Sequence, residues 1–184
     1  LAMIAAHAHV ATNPFVQLWL TSEKGLDRQS AASLYGLAFV SVGLIGTIGS
    51  GLLGDWAKRR LGWDRAWTVL VLLLVLAPML PVYRLASGGT GLFLAGMVAS
   101  ILFMTVVYGP LFAIIQEQLP DHLKATSSGV VMLGVNIAAL GGVALLVGWS
   151  SDLLAAQQLP GSWTWPLLGA DLLAVLALPL TWLA

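Results

Sequence analysis

The sequence predicts an all-α membrane protein, and three observations lead to that class. Hydrophobic residues make up 59% of the 184 positions, charged residues only 9%, and the mean hydropathy is +0.91. Soluble domains carry about 25% charged residues, so this chain has too few to cover a globular surface. The run TVLVLLLVLAPML at 68–80 is apolar throughout, whereas strands of a membrane barrel alternate in polarity. We therefore expect membrane-spanning helices.

Six segments have the length and composition of a spanning helix, which needs about 20 apolar residues. In chain order they are Leu1–Thr21, Ala31–Gly54, Ala66–Ala86, Thr90–Gln116, Thr126–Ser150 and Trp163–Ala184. Pro14 predicts a kink in the first segment. A Ser-Gly-Gly turn after Ala86 divides the chain into two three-helix units, residues 1–86 and 90–184.

The second unit resembles the first. When the third and sixth segments are superposed, GLLGD at Gly51–Asp55 falls on GWSSD at Gly148–Asp152. Because each unit has an odd number of spans, the two units must lie in opposite orientations. Inverted three-helix repeats are typical of one six-helix half of a transporter. The chain begins without a signal-peptide pattern and ends without a polar tail, so we expect a fragment, or one half of a longer protein.

Basic residues predict the orientation and several exclusions. The loops that follow the second and fourth segments contain Lys58, Arg59, Arg60, Arg65 and Lys124. Positive charge in short loops marks the cytoplasmic side, so we expect a cytoplasmic N-terminus and a multi-pass protein of a bacterial inner membrane. A net charge of zero argues against a nucleic-acid partner. The absence of cysteine excludes disulfides and thiolate metal sites, and we expect neither a metal nor a cofactor.

The stretch GLLGDWAKRR at 51–60 resembles the cytoplasmic loop signature of the major facilitator superfamily, a pattern like G-x-L-a-D-R-x-G-R-R. Its matching residues are Gly51, Leu53, Asp55, Arg59 and Arg60, while Trp56 and Lys58 depart from the pattern. The resemblance implies helices seven to twelve of a twelve-helix carrier. The N-terminal six-helix half is then absent. Members are secondary transporters, often proton-coupled.

A second stretch, from Tyr108 to Leu154, is similar to the Spinster-like branch of that superfamily. The matching positions are Gly109-Pro110, Gln116, Pro120, Lys124-Ala125, Asn136, Gly148 and Ser151-Asp152. The branch is associated with lysophospholipids and sphingoid lipids, so the resemblance implies a small organic or amphiphilic, lipid-like substrate.

The gating loop predicted from these residues comprises Gly51, Asp55, Lys58, Arg59 and Arg60. We expect Asp55 to end the second helix, where a carboxylate is poorly placed against the helix dipole and needs a partner. A contact with the opposite half that forms in one carrier state and breaks in the other would act as a latch. The alternative is that the basic residues only fix topology.

Ionisable residues within spans are candidates for proton coupling. His7 and His9 lie two positions apart, so they point to different faces of the first helix and cannot share one metal. Asp171 lies about 9 Å into the last segment at 1.5 Å per residue. It can relay protons, or have a structural role in which it turns outward to water or pairs with Arg84 on the equivalent third helix; a structural role is preferred.

The predicted cavity-lining residues are Gln17, Thr105, Tyr108 and Asn136. For Asn136, expected to be buried, packing between two helices is the preferred alternative. Gly109 and Pro110 predict a hinge, or a static kink, in the fourth helix. Trp19 is expected in the outer membrane interface. The acidic residues Glu117 and Asp121, with Lys124, are expected to be solvated loop charges.

The sequence therefore favours transmembrane transport by alternating access, with the bilayer, the missing half and a small molecule as partners. A non-transporting scaffold, or an inert half-carrier, is the second hypothesis. An intramembrane enzyme is remote, because no G-x-S-x-G nucleophile pattern occurs.

Overall fold

A computed structural model of the chain describes residues 7–180, apart from the side chains at positions 111, 114–116, 118, 177, 179 and 180. A helical turn at 7–10 leads into the named helices. These are α1 (Asn13–Ser22), α2 (Arg28–Leu61), α3 (Arg65–Leu76), α4 (Met79–Leu85), α5 (Gly91–Thr105), α6 (Tyr108–Gln118), α7 (Asp121–Gly134), a π-helix (Val135–Val143), α8 (Ala144–Ala156) and α9 (Thr164–Leu180). The ends of the first and last predicted segments and the Gln116 side chain lie outside this description.

Prolines explain three interruptions of these helices. Turns at 11–12, 77–78 and 106–107 precede Pro14, Pro81 and Pro110 by a few residues. Proline has no N–H, and its ring clashes with the carbonyl four positions earlier, so each helix breaks in that interval. The predicted kink at Pro14 is thus present as a break at residues 11–12.

Helix α2 is longer than the sequence predicted at both ends. The Asp27 carboxylate caps its N-terminus by accepting hydrogen bonds from the backbone N–H groups of Gln29 and Ser30, at 3.0 and 2.9 Å. Its C-terminus is reached only at Gly62, which adopts the left-handed conformation with φ of 67°. Glycine takes that conformation without a steric penalty, so Gly62 stops a helix that nothing earlier interrupts.

The fifth predicted segment lies within one continuous helical run from Asp121 to Ala156. Its middle, Val135–Val143, is a π-helix. π-Helical turns are rare and mostly short; this one contains Gly141 and Gly142, residues with low helix propensity. The run therefore has a local change of helical pitch around its Gly141-Gly142 pair.

Among the described residues, four helical runs are long and apolar enough to cross a membrane: 28–61, 65–85, 91–110 and 121–156. Within α9, the stretch 164–176 is apolar but too short to cross a membrane by the same measure. Exposed leucines such as Leu37 and Leu145 lie on the outer faces of α2 and α8. The prediction of six spans therefore stays a prediction for the first and last segments, as does the inverted repeat.

Two charged residues after α1 stabilise the ends of distant helices. The Glu23 carboxylate accepts hydrogen bonds from the backbone N–H groups of Trp163 and Thr164, at 2.7 and 3.0 Å. The Lys24 ammonium donates to the carbonyls of Arg84 and Ala86, at 2.7 and 2.9 Å. An anion at the start of α9 and a cation at the end of α4 both complement the helix dipoles. They gather the ends of α1, α4 and α9 at one end of the bundle, which we call the Glu23 end.

Close helix contact positions α4 beside α5. A Cβ atom added at Gly96 would lie 2.8 Å from the Tyr83 backbone, closer than side-chain carbons approach. Around this contact pack Trp19, Phe93 and Leu167, all fully buried. The backbone of α5 is therefore held against the segment that carries Arg84.

Candidate functional site

A buried charged cluster lies where the chain before α1 meets α4 and α9. The Arg84 Nε donates to Asp171 Oδ2 at 2.7 Å, and Nη2 lies 3.2 Å from Oδ1. His9 Nδ1 lies 2.6 Å from the same Oδ1. The side chains of all three are at most 1% exposed. Of the two structural alternatives for Asp171, the pairing with Arg84 is therefore present, and Asp171 does not turn outward.

The second ring nitrogen of His9 contacts α5. Nε2 lies 3.0 Å from the Ser100 hydroxyl and 3.2 Å from the Ser100 carbonyl oxygen. With Nδ1 donating to Asp171, a neutral ring accepts a hydrogen bond from the hydroxyl, and a protonated ring donates to either oxygen. Ser100 therefore provides His9 with a partner in both protonation states. Sequence reasoning missed Ser100, although a polar residue inside an apolar span is a recognisable signal.

Arg84 is held by further contacts on its remaining sides. Nη2 donates to the Thr12 hydroxyl at 3.0 Å, and the guanidinium carbon lies 5.0 and 5.1 Å from the ring centres of Trp19 and Tyr83. Such cation–π contacts stabilise a desolvated cation. Within the described part of the chain, Arg84 Nη1 and the Tyr83 hydroxyl have no hydrogen-bond partner.

Trp19 was predicted in the membrane interface, and that prediction was wrong. Its side chain is fully buried, with the indole N–H donating to Thr164 Oγ1 at 2.8 Å. The ring also lies 5.0 Å from the Lys24 ammonium. An indole with a satisfied N–H and a cation on its face is stable in the interior, so a tryptophan near a helix end need not contact lipid headgroups.

His7 points to a different helix from His9, as their spacing predicted. Its Nε2 lies 2.8 Å from the Tyr108 hydroxyl, and the two rings pack edge to face. Tyr108 is the first residue of α6, directly after the break at 106–107. His7 thus contacts the broken fourth segment, whereas His9 contacts the buried ion pair.

The break in the fourth segment packs tightly against α2. A Cβ atom at Gly109 would lie 3.0 Å from the Thr47 carbonyl oxygen. One at Gly46 would lie 3.1 Å from Leu102 and closer still to the hydroxyl of Thr105. Thr105 is buried, with its hydroxyl donating to the Ile101 carbonyl at 2.9 Å. In this structure Thr105 is a packing residue against α2, while the hinge role of Gly109 and Pro110 stays a prediction.

A second charged cluster, which we call the Arg65 cluster, joins the far ends of α2, α3 and α6. Arg65 donates from Nη2 to Asp55 Oδ1 at 2.5 Å and from Nη1 to Glu117. The Lys58 ammonium donates to Glu117 Oε2 at 3.0 Å. One arginine therefore joins two carboxylates, Asp55 and Glu117, that lie 62 positions apart in the sequence.

The predicted gating loop is wrong as a loop, because all five of its residues belong to α2. These are Gly51, Asp55, Lys58, Arg59 and Arg60. Residues 55–61 contain no glycine or proline, and lysine and arginine are good helix formers that suit the last turn of a helix. Asp55 therefore does not end the helix; its partner is the Arg65 side chain, which lies at the start of the next one.

The three predicted loop charges also lie in helices. Glu117 belongs to α6, where two cations bind its carboxylate, and Asp121 and Lys124 form a 2.6 Å ion pair in the first turn of α7. The Arg65 guanidinium and, second, the Lys58 ammonium lower the pKa of Glu117 from its ordinary value. Because this carboxylate is 46% exposed, solvent screens much of the attraction.

The two remaining cavity candidates lie at the surface of the described chain. Asn136 was expected to be buried, but it is exposed, and its amide donates to the Met132 carbonyl one turn earlier, at 2.7 Å. That local bond satisfies the amide, so it does not pin two helices together. Gln17 is half-buried on α1 and lines a groove beside α2.

The family comparison agrees with the sequence resemblance at the level of the superfamily. The model of the Major Facilitator Superfamily matches residues 1–143. No curated protein matches the chain, and no solved structure does. The match covers the Arg65 cluster and every residue of the buried cluster except Asp171.

Proposed function

We propose that this chain, which belongs to the major facilitator superfamily, is the C-terminal half of a proton-coupled carrier that moves a small organic or amphiphilic solute by alternating access. Members of the superfamily are membrane transporters and not enzymes, and the apolar helices make the chain an integral membrane protein. The observation that carries the coupling proposal is the buried contact of His9 with Asp171, whose carboxylate also binds Arg84.

The charges of this cluster suit a site that takes up and releases one proton. Arg84 and Asp171 offset each other, so a neutral His9 leaves the buried cluster without net charge. Protonation of His9 adds one positive charge, which the Asp171 oxygen at 2.6 Å and the Ser100 oxygens can bind. Access of water from one side of the membrane or the other would then decide when the proton enters and leaves.

The Arg65 cluster is our candidate for the latch that shuts one end of the carrier. The Asp55 carboxylate accepts a hydrogen bond from the Arg65 guanidinium here. A charged side chain of the missing half that reached this end would compete for the same two groups. Such a contact can differ between two carrier states and bias their populations. Breaks before Pro14 and Pro110 give the first and fourth segments places to bend.

We place the end with Lys58, Arg59 and Arg60 in the cytoplasm of a bacterial cell, by the distribution of basic residues. A cysteine replacing Lys58 should then label only from the cytoplasmic side, and one replacing Ser87, at the Glu23 end, only from outside. Because the chain has no native cysteine, the background is blank. Reversed labelling would overturn the orientation and leave the fold unaffected.

The test of transport uses the longer carrier with both halves, reconstituted in vesicles that contain a pH-sensitive dye. Octyl-chain solutes with anionic, neutral and cationic heads are added with and without a proton gradient. We expect solute-dependent proton flux with at least one head group, and its loss in Asp171→Asn. A carrier that moves neither solute nor protons in any arm would favour the scaffold hypothesis.

A further inference from the structure

An open groove runs between α1 and the beginning of α2 near the Glu23 end, with a volume of about 620 Å³. That size is within the range of small-molecule sites, about 300–1,000 Å³. Its lining residues are Pro14, Gln17, Leu18, Thr21, Arg28 and Ala32. The α1 residues recur at helical spacing and the two from α2 lie one turn apart, so each helix presents one face to the groove.

Arg28 differs from the three charged residues that precede it in the connection after α1. Glu23 caps α9, Lys24 caps α4 and Asp27 caps α2. Within the described residues, no carboxylate lies within the 4.0 Å of an ion pair with Arg28. As the first residue of α2, it also lies at the positive end of the helix dipole, where a cation is disfavoured.

The lining of the groove includes both polar groups and apolar surface. Arg28 offers five N–H donors in a planar fork that fits a carboxylate or phosphate. The amide of Gln17 makes only one long contact, 3.5 Å to the Ala31 carbonyl oxygen, which leaves it able to donate to a ligand. Pro14, Leu18 and Ala32 supply apolar surface beside these donors.

We propose that this groove binds the anionic head and the first part of the apolar tail of an amphiphilic solute, with Arg28 as the anion-binding residue. The proposal rests on the proposed transport function, because it identifies the substrate class of that carrier. Charge recognition at Arg28 would orient the ligand with its tail along the Pro14 and Leu18 face of α1.

Binding is measured on the purified chain in nanodiscs of zwitterionic lipid, by calorimetry with octyl phosphate, inorganic phosphate and octyltrimethylammonium. We expect octyl phosphate to bind and the other two to bind at least tenfold more weakly, because one lacks the tail and the other the negative charge. Arg28→Gln should weaken octyl phosphate binding by about tenfold or more, the equivalent of one charge-assisted hydrogen bond.

Three controls make the result specific. Lys124→Gln removes the same charge at the other end of the molecule and should leave binding unchanged, whereas Arg28→Lys should restore most of the affinity. Tryptophan fluorescence melting checks that each variant is folded. Part of the disc lipid is then replaced with an anionic lipid, which repels an anionic ligand from every variant. The affinity of wild type for octyl phosphate should change by no more than about twofold beyond the change measured in Lys124→Gln.

Equal affinity in Arg28→Gln and wild type, or binding of octyltrimethylammonium as tight as octyl phosphate, would overturn the proposal. Loss of octyl phosphate binding in anionic discs would make the groove a bilayer-lipid site and would also overturn it. Since the assay involves no transport, Arg28-dependent binding without uptake by the longer carrier would refute the transport function alone. Uptake of an anionic amphiphile that is insensitive to Arg28→Gln would refute the site alone.

Discussion

Arg84 donates hydrogen bonds to both carboxylate oxygens of Asp171, at 2.7 and 3.2 Å, and neither side chain reaches solvent. The two residues lie in α4 and α9, the last parts of the two proposed three-helix units. Because each charge is desolvated, the pair is strongly interdependent: the loss of one partner leaves the other buried and uncompensated. The contact therefore stabilises the arrangement of the whole bundle as well as the histidine beside it.

The first prediction concerns the stability of this pair. Asp171→Leu should lower the free energy of unfolding by about 3–5 kcal/mol, since it leaves the Arg84 charge unpaired. The double variant Arg84→Met/Asp171→Leu should recover most of that loss. Unfolding is followed by tryptophan fluorescence in detergent, with exposed Asp152→Asn as a control that should change it by less than about 0.5 kcal/mol. A double variant as unstable as the single one would refute the interdependence.

The second prediction concerns the contact of α4 with α5. In Gly96→Ala the new methyl group would lie 2.8 Å from backbone atoms of Tyr83, so the helices must separate, at a cost of about 1–3 kcal/mol. Gly36→Ala is the matched control, because nothing lies within 4 Å of its Cβ position. There the substitution should be neutral or stabilise α2 by up to about 1 kcal/mol. Equal melting temperatures for the two variants would contradict the close approach.

The third prediction concerns the pH dependence of the Arg65 cluster. The pKa of Glu117 is lowered in the folded state, so this carboxylate contributes stability above its ordinary pKa of 4.5, and the contribution is lost as the pH falls through the lower folded value. We therefore expect amide hydrogen exchange at the C-terminal turn of α6 to become faster, relative to the unfolded chain, as the pH falls below 4.5. High salt should have a similar effect at neutral pH.

Glu117→Gln is the control for this cluster. It removes the titrating group, so exchange at the end of α6 should be faster than in wild type at neutral pH and should no longer depend on acid in this range. Asp121→Asn, which changes the neighbouring ion pair with Lys124, should keep the wild-type profile at α6. The same acid profile in Glu117→Gln and wild type would show that another group is responsible.

Local patterns in the sequence were sufficient for the apolar helices and for some of their interruptions. Hydropathy identified the runs from 28 to 156, and the steric effect of proline located the break near Pro14. The end of α2 differs from the prediction, because the charges from Asp55 to Arg60 resemble a loop signal, whereas lysine and arginine are good helix formers. Helix propensity and the stop at Gly62 were the better guide there.

Contacts between distant helices were predicted only in part. The equivalence of the third and sixth segments suggested the pairing of Arg84 with Asp171, but nothing local in the sequence places His9 beside that pair or Ser100 beside His9. Those contacts join residues 91 and 162 positions apart, and they depend on how three helices cross. For the same reason Trp19 was assigned to the interface, because its partner Thr164 lies 145 positions away.

The last prediction concerns His9 as the proton-binding residue. Glutamine has an amide of similar size, which can still donate to Asp171 and contact Ser100 but does not exchange a proton in the physiological range. In the longer carrier, His9→Gln should flatten the pH dependence of net transport and lower uptake driven by a proton gradient by about tenfold. Counterflow exchange of solute, which needs no net proton movement, should persist. Uptake is measured in vesicles between pH 5 and 8, where a histidine changes its charge.

Two histidine variants complete this test. His122 lies exposed on α7, away from the buried pair, so His122→Gln should keep the wild-type pH profile. His7→Gln separates the two histidines of the first segment: His7 contacts Tyr108 at the broken fourth segment, so its variant should change the rate without removing the pH dependence. If His9→Gln keeps the full pH dependence while His7→Gln loses it, the proton site lies at the broken fourth segment. If neither variant changes the profile, both histidines are structural, and the coupling residue is Asp171 or belongs to the other half of the carrier.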